Sequence, residues 1–280
     1  MKRRHLSSLA ALAFAVLFFG PEPALAQGYL GTNLNPYAVL AGTTVTCTGA
    51  SLVTGDVGVS PGSAITGFPA PCANTGTLRI PPASDPGQAD LLTAYGTLAA
   101  LPCSSTVGPD LAGLTLVQGV YCVNAAASNL TGTLTLNAQG NPNAVWVFRM
   151  SSSLVTSSGS TVAIINGGNA CAVEWQVSSS ATIGSGSTFV GNILALTSIA
   201  LNTGANLTGR ALARNGAVTL DTNNVSFGAC GAAGGPGGPP PPFPGPVPTL
   251  PEIGAWALLV LLLGSGAYAL RRRTPTEASR

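Results

Sequence analysis

The side chains of this chain that could carry acid–base, nucleophilic or metal chemistry are few and scattered. The only histidine is His5, within residues 1–26, which read below as a removable export signal, so no Ser–His–Asp set can be assembled from the rest of the chain. The carboxylates Asp56, Glu174 and Asp221 lie far apart in sequence, whereas glycoside chemistry needs two carboxyl groups across one bond. Asp56, in Gly55-Asp56-Val57-Gly58, reads as a turn residue bonding its own backbone. Arg210 and Arg214 read as solvated or paired with Asp221. None of the cysteines Cys47, Cys72, Cys103, Cys122, Cys171 and Cys230 forms a CxxC pair, so no metal site and no other cofactor is expected. Six cysteines in an exported chain point to three disulfides, with fifteen possible pairings. These features argue against an enzyme.

Charge excludes another class. Charged residues make up 7% of the chain, against about 25% in ordinary soluble domains. Lysine is absent from residues 27–246, so nothing there could neutralise a row of phosphates, and nucleic acid is not an expected partner. The net charge of +2 comes mostly from the two termini.

What the chain has in quantity is hydroxyl and methyl groups, and they sit on a repeat. Ser151-Ser152-Ser153-Leu154-Val155-Thr156 through Val162 aligns with Ser178-Ser179-Ser180-Ala181-Thr182-Ile183 through Phe189, 27 residues on. Residues 180–192 match residues 198–210, a further 18 on, and a looser copy begins at Val218. Short β-rich runs with a glycine at a fixed place and a period near 18 read as coils of a β-solenoid. Ile183, Leu201 and Leu220 fall in register and form one inward ladder. Thr182, Ala200 and Thr219 precede them by one residue and point outward. Stacked coils would present a rigid array of hydroxyls and methyls able to hold ordered water, and charges would disturb such a layer.

The remaining chain frames this repeat. Residues 1–26, with Lys2, Arg3 and Arg4, an apolar core and Ala24-Leu25-Ala26, read as a secretory signal for Sec export. Residues 85–101 form the one convincing helix: Asp85 can cap it, Pro86 suits its first turn, and Leu91, Tyr95 and Leu98 share a face for packing on the solenoid. Ala144-Val145-Trp146-Val147-Phe148 is the most apolar strand and belongs in the core. Residues 231–246 are a Gly/Pro linker. Residues 253–270 are apolar enough to reach across a membrane, with Arg271, Arg272 and Arg273 on the cytoplasmic side.

Two resemblances follow. Tyr37-Ala38-Val39-Leu40-Ala41-Gly42, Thr54-Gly55-Asp56-Val57-Gly58-Val59-Ser60-Pro61-Gly62 and the segment from Asn192-Ile193-Leu194-Ala195 through Gly209-Arg210-Ala211-Leu212-Ala213 resemble the ice-binding family known as the domain of unknown function 3494. The resemblance covers residues 29–227 and implies a mainly β fold, a right-handed parallel β-helix of irregular coil order with one long α-helix packed alongside. It also implies ice as the partner and a Thr, Ala/Gly, any, Thr/Asn pattern on the ice-facing sheet. Ser158-Gly159-Ser160-Thr161, Ser185-Gly186-Ser187-Thr188 and Thr203-Gly204-Ala205-Asn206 fit that pattern with Ser allowed for Thr; Thr222-Asn223-Asn224-Val225 departs from it. The ice-facing set expected on these grounds is Thr156, Ser158, Thr161, Thr182, Ser185, Thr188, Thr203, Asn206, Thr219 and Thr222. The tail, Val247-Pro248-Thr249-Leu250 with the apolar span and Arg271 to Arg273, resembles the bacterial Ile-Pro-Thr-Leu sorting signal. That implies an exosortase-like processing enzyme and delivery to the cell surface, with domain bounds at residues 27–230, 231–246 and 247–280. The alternative function is a structural or adhesive surface solenoid on a Pro-rich stalk.

Overall fold

Glycine, proline and asparagine interrupt the chain so often that no strand among the described residues exceeds five residues. Each short strand ends in a turn, and three strands close one coil. A computed structural model describes residues 28–228, and in it the coils stack into three parallel sheets of nine, seven and eight strands. Sheet A includes Tyr37–Ala41, Gly119–Val123, Trp146–Met150, Val173–Val177, Asn192–Ala195 and Ala211–Ala213. Sheet B includes Thr44–Thr48, Ala64–Thr66, Ala127–Leu130, Ser153–Thr156, Ala181–Ile183, Ile199–Leu201 and Val218–Asp221. Sheet C includes Leu52–Thr54, Thr133–Asn137, Thr161–Ile165, Thr188–Val190, Asn206–Thr208 and Asn224–Ser226. The fold is the expected parallel β-solenoid, with one α-helix among the described residues.

The registers agree with the repeat. Leu154 pairs with Ala181, 27 residues on, and Ala181 with Ile199, 18 on. Ile183, Leu201 and Leu220 form the inward ladder, each 1% exposed or less. The longer coils are filled by larger side chains. Tyr121, Phe148 and Trp175 occupy one inward column of sheet A, continued by Ile193 and Ala211 where the coils shorten. Phe148 and Trp175 stack at 4.1 Å between centroids, and Phe189 lies 4.8 Å from Trp175. Such aromatic contacts contribute roughly 0.5–1.5 kcal/mol each beyond the area they bury.

Coil order departs from chain order. The first coil docks on the last: Val39 pairs with Ala211, Val45 with Val218, and Leu52 with Asn224. From the end reached at Leu78–Arg79, helix α1 (Asp85–Ala100) leads the chain to the opposite edge of sheet A at Ser105–Val107. The coils then wind back to meet the first. Leu91, Ala94, Tyr95 and Leu98 are buried on α1 against Leu40, Val120, Val147, Leu194 and Leu212 from the outer side of sheet A. The helix thus builds a second apolar layer. Its N-cap position is Ser84 and not Asp85; the Ser84 hydroxyl donates to the Val59 carbonyl at 2.6 Å, and Asp85 accepts from Ser60 Oγ at 2.5 Å.

Two disulfides join Cys47 to Cys72 and Cys103 to Cys122. Cys171 is disulfide-bonded as well, and Cys230 lies outside the described residues. So do the expected export signal, the Gly/Pro linker, and the tail from Val247, Pro248, Thr249 and Leu250 to Arg271, Arg272 and Arg273. Among the described residues no helix is long and apolar enough to cross a membrane.

Candidate functional site

Because α1 lies over sheet A, sheets B and C are the long faces that the described residues leave bare. The central outward column of sheet B runs Thr66, Thr46, Thr219, Ala200, Thr182, Val155, Asn129, each paired with the next. A second outward column, two residues back on each strand, is Ala64, Thr44, Ala217, Ser198, Ser180, Ser153 and Ala127. From Thr66 to Thr182 and from Ala64 to Ala127, no side chain in either column is larger than threonine, and none is charged. The five strands from Thr66 to Thr182, at ~4.8 Å spacing, make a plane about 19 Å across. Its side-chain height is uniform because each column repeats one size class at one spacing. β-Branching restricts threonine χ1, so the Thr hydroxyls and methyls hold their places.

Of the residues expected to face ice, only Thr182 and Thr219 lie in this plane. Thr161, Thr188 and Asn206 are in register with one another on sheet C, one corner away, between Thr133 and Asn224. Ser158, Ser185, Thr203 and Thr222 lie on the turns joining the two sheets, where they form a ridge. Each of these turns needs one left-handed residue. Gly159, Gly186 and Gly204 supply it with φ of 70°, 65° and 74°, and Thr222 adopts 57° in the last coil. That coil's turn is one residue shorter, which accounts for its departure from the four-residue pattern.

Thr156 does not face outward. It is 4% exposed, and its hydroxyl accepts the Gly184 N–H at 2.8 Å inside the coil. The period of two explains this: Val155 pairs with outward Thr182, so the next residue must turn inward. Sequence reasoning also missed Thr44, Thr46 and Thr66. Their signal was the alternation Thr44-Val45-Thr46-Cys47-Thr48, but nothing local says that this coil stacks on Val218–Asp221.

The ridge is fixed from within. Ser160 and Ser187 hydroxyls lie 3.0 Å apart, and Ser187 donates to the Ser157 carbonyl at 3.0 Å. The Asn223 amide donates to the carbonyls of Asn202 and Ala205, both at 2.9 Å. Outside, Asp221 accepts the Thr203 hydroxyl and, at 3.1 Å, that of Thr222.

Of the ten charged side chains among the described residues, six lie on or beside sheet A: Asp56, Arg79, Arg149, Glu174, Arg210 and Arg214. Asp56 is not a turn residue: it is 6% exposed in a strand, ion-paired with Arg79 at 2.5 Å and accepting the Thr77 N–H. Arg210 is not solvated or paired with Asp221. It is 2% exposed, donates to Tyr37 and Asn35 carbonyls and to Asn192 Oδ1, and stacks on Phe227. Arg214 lies over the Tyr95 ring at 5.0 Å. Glu174, 1% exposed, accepts from Asn192 at 3.1 Å. Burial drives its carboxyl up to about 8, against the opposing pull of Asn192 and Arg210. The Tyr29 phenol is pushed up to about 12 by burial and, to a lesser degree, by the charge of Glu174. Asp56, Glu174 and Asp221 are therefore held in three separate settings, and no metal-ligating cluster occurs among the described residues.

Known proteins resemble this chain over most of the described residues. The family model described as Ice-binding-like matches residues 39–226. An ice-binding protein of Nostoc sp. (strain HG1) is 47% identical over 228 residues, spanning 81% of this chain and 83% of that one. Ice-binding protein 1 of Shewanella frigidimarina is 38% identical over 144 residues, which is 50% of this chain and 16% of that longer protein. The crystal structure of an ice-binding protein from the Antarctic ascomycete Antarctomyces psychrotrophicus superposes with a TM-score of 0.68 at 39% identity, covering 71% of this chain and 98% of that one.

Proposed function

The chain belongs to the Ice-binding-like family, and from that premise we propose that it adsorbs to ice through sheet B and slows ice growth or recrystallisation. The observation that carries the reading is the plane itself: two columns of Thr, Ser and Ala from Thr66 to Thr182, uncharged and rigidly spaced by the backbone ladder. Water ordered on such a face keeps hydrogen bonds to hydroxyls while methyls limit its other arrangements, so a layer matching ice costs little to hold. Adsorption needs no catalytic group and no cofactor; ice and the ordered water on it are the partner. A fragment of residues 27–230 is expected to partition into slowly growing ice and to limit recrystallisation. A fragment that stays in the liquid would instead favour the adhesive solenoid.

The ends of the chain complete the proposal. Residues 1–26 direct Sec export, residues 231–246 act as a spacer, and residues 247–280 form the sorting signal that an exosortase-like enzyme cuts before surface display. The apolar residues 253–270 hold the precursor in the membrane until then. Intact-mass analysis of the surface form should place its C-terminus near residues 247–252. Recovery of full-length, membrane-bound chain alone would indicate a permanent anchor.

A further inference from the structure

One outward column of sheet A runs Thr106, Cys122, Arg149 and Gln176 before it reaches Leu194 and Leu212 beneath α1. At this end a small pocket opens beside the Cys103–Cys122 disulfide, lined by Asn124, Arg149, Ser151, Gln176 and Ser178. Arg149 Nη1 donates to the Leu101 carbonyl, just past the helix, and lies 3.7 Å from Cys103 Sγ and 3.8 Å from Cys122 Sγ. Its Nε is buried with no partner. The one ion pair among the described residues is Arg79–Asp56, so the Arg149 charge has no carboxylate to offset it. The other polar lining groups are neutral hydroxyls and amides.

The two mapped disulfides therefore differ in kind. Cys47 and Cys72 are 3% and 0% exposed, and the contacts recorded for Cys72 Sγ are the carbonyls of Thr48 and Gly49. Cys103 is exposed, its partner Cys122 is 4% exposed, and a guanidinium touches both sulfurs. A neighbouring cation stabilises a thiolate and so improves it as a leaving group.

We propose that this pocket is a thiol–disulfide exchange site for small thiols that carry an anionic group, and that Cys103–Cys122 is the bond they open. The incoming thiolate attacks the exposed Cys103 sulfur. A new sulfur–sulfur bond forms there, the Cys103–Cys122 bond breaks, and its electron pair leaves on Cys122 Sγ beside Arg149. The product is a mixed disulfide at Cys103 and a thiolate at Cys122. A second thiolate attacking the small-molecule sulfur releases the oxidised small thiol and leaves both cysteines reduced. The carboxylate or sulfonate of the incoming thiol is drawn by the uncompensated guanidinium and bonded by the second N–H of the Gln176 amide, whose first goes to Ser178 Oγ. The site lies on a different face from sheet B and does not depend on ice binding.

The test uses the native, oxidised protein and three probes at equal thiolate concentration: 2-mercaptoethanesulfonate, 2-mercaptoethanol and 2-mercaptoethylamine. After acid quenching, alkylation and peptide mapping follow each disulfide. The sulfonate should load Cys103 first, about tenfold faster than the amine, the order of effect that a neighbouring cation has on thiolate chemistry. Cys47–Cys72 should stay closed over that time. Arg149→Gln should abolish the ranking of the probes, while Arg149→Lys should keep most of it. Equal rates for the three probes on the wild-type protein would overturn the proposal, even if both variants fail to fold. Opening of Cys47–Cys72 as fast as Cys103–Cys122, or an unchanged ranking in Arg149→Gln, would overturn it too.

Discussion

Sheets A and B are built from the same coils, yet their outer sides carry opposite chemistry. Strands of sheet A bear Asp56, Arg79, Arg149 and Glu174, with Arg210 and Arg214 flanking Ala211–Ala213. Sheet B carries a single charge, Asp221, at its margin, where two threonine hydroxyls engage it. The helix explains the difference. Under α1 and the residues before Tyr37, a side chain leaving sheet A meets protein, so apolar groups gain by burial and polar ones need partners: Arg210 with Asn192 and two carbonyls, Asp56 with Arg79. Among the described residues nothing lies over sheet B, and its columns stay small. A parallel ladder alone specifies neither outcome; what covers the face decides.

That comparison can be broken from either side. The largest effect expected is on the covered face. Leu98 is fully buried between helix and sheet, so Leu98→Ala should cost about 2–5 kcal/mol in chemical denaturation, while ice partitioning of the protein that remains folded is unchanged. A cost under about 1 kcal/mol would mean that the helix contributes little to the fold.

On the bare face the signs reverse. Ala200→Tyr places a ring between Thr219 and Thr182, and a rigid plane cannot shift around it. Ice affinity should fall about tenfold or more, with stability within about 0.5 kcal/mol of wild type. Wild-type affinity in a folded Ala200→Tyr protein would show that sheet B is not the contact surface.

Glu174 sharpens the contrast through pH. Its carboxyl is raised from 4.5 to about 8 in the folded state by burial, so between these values the native protein binds more protons than the unfolded chain. The stabilisation is complete below about pH 4.5 and is lost as pH rises through 8, with a slope of at most about 1.4 kcal/mol per pH unit. Glu174→Gln should remove that slope and leave the variant more stable than wild type at pH 8. Parallel pH–stability curves for the two proteins would refute this account of the buried cluster.

Smaller effects test the borders. Thr203→Tyr, on the ridge and bonded to Asp221, should lower ice affinity less than Ala200→Tyr; an equal loss would extend the contact surface around the corner to Thr188 and Asn206. Thr97→Tyr, exposed on α1, should change neither affinity nor melting.

The sequence by itself determined the repeat, its registers at 27 and 18 residues, the inward ladder of Ile183, Leu201 and Leu220, the helix with Leu91, Tyr95 and Leu98 on one face, and the scarcity of charge. These are local properties: a period of two or 3.6 and a comparison of neighbouring coils suffice to read them. Only the tertiary structure decided that the first coil stacks on the last and so carries Thr46 and Thr66 into line with Thr219. It decided as well that Asp56 meets Arg79, and that Glu174 is sealed in with Asn192 and Arg210. Such pairings join residues with no local relation, because which coil edge meets which, and what the helix covers, is settled by burial across the whole chain.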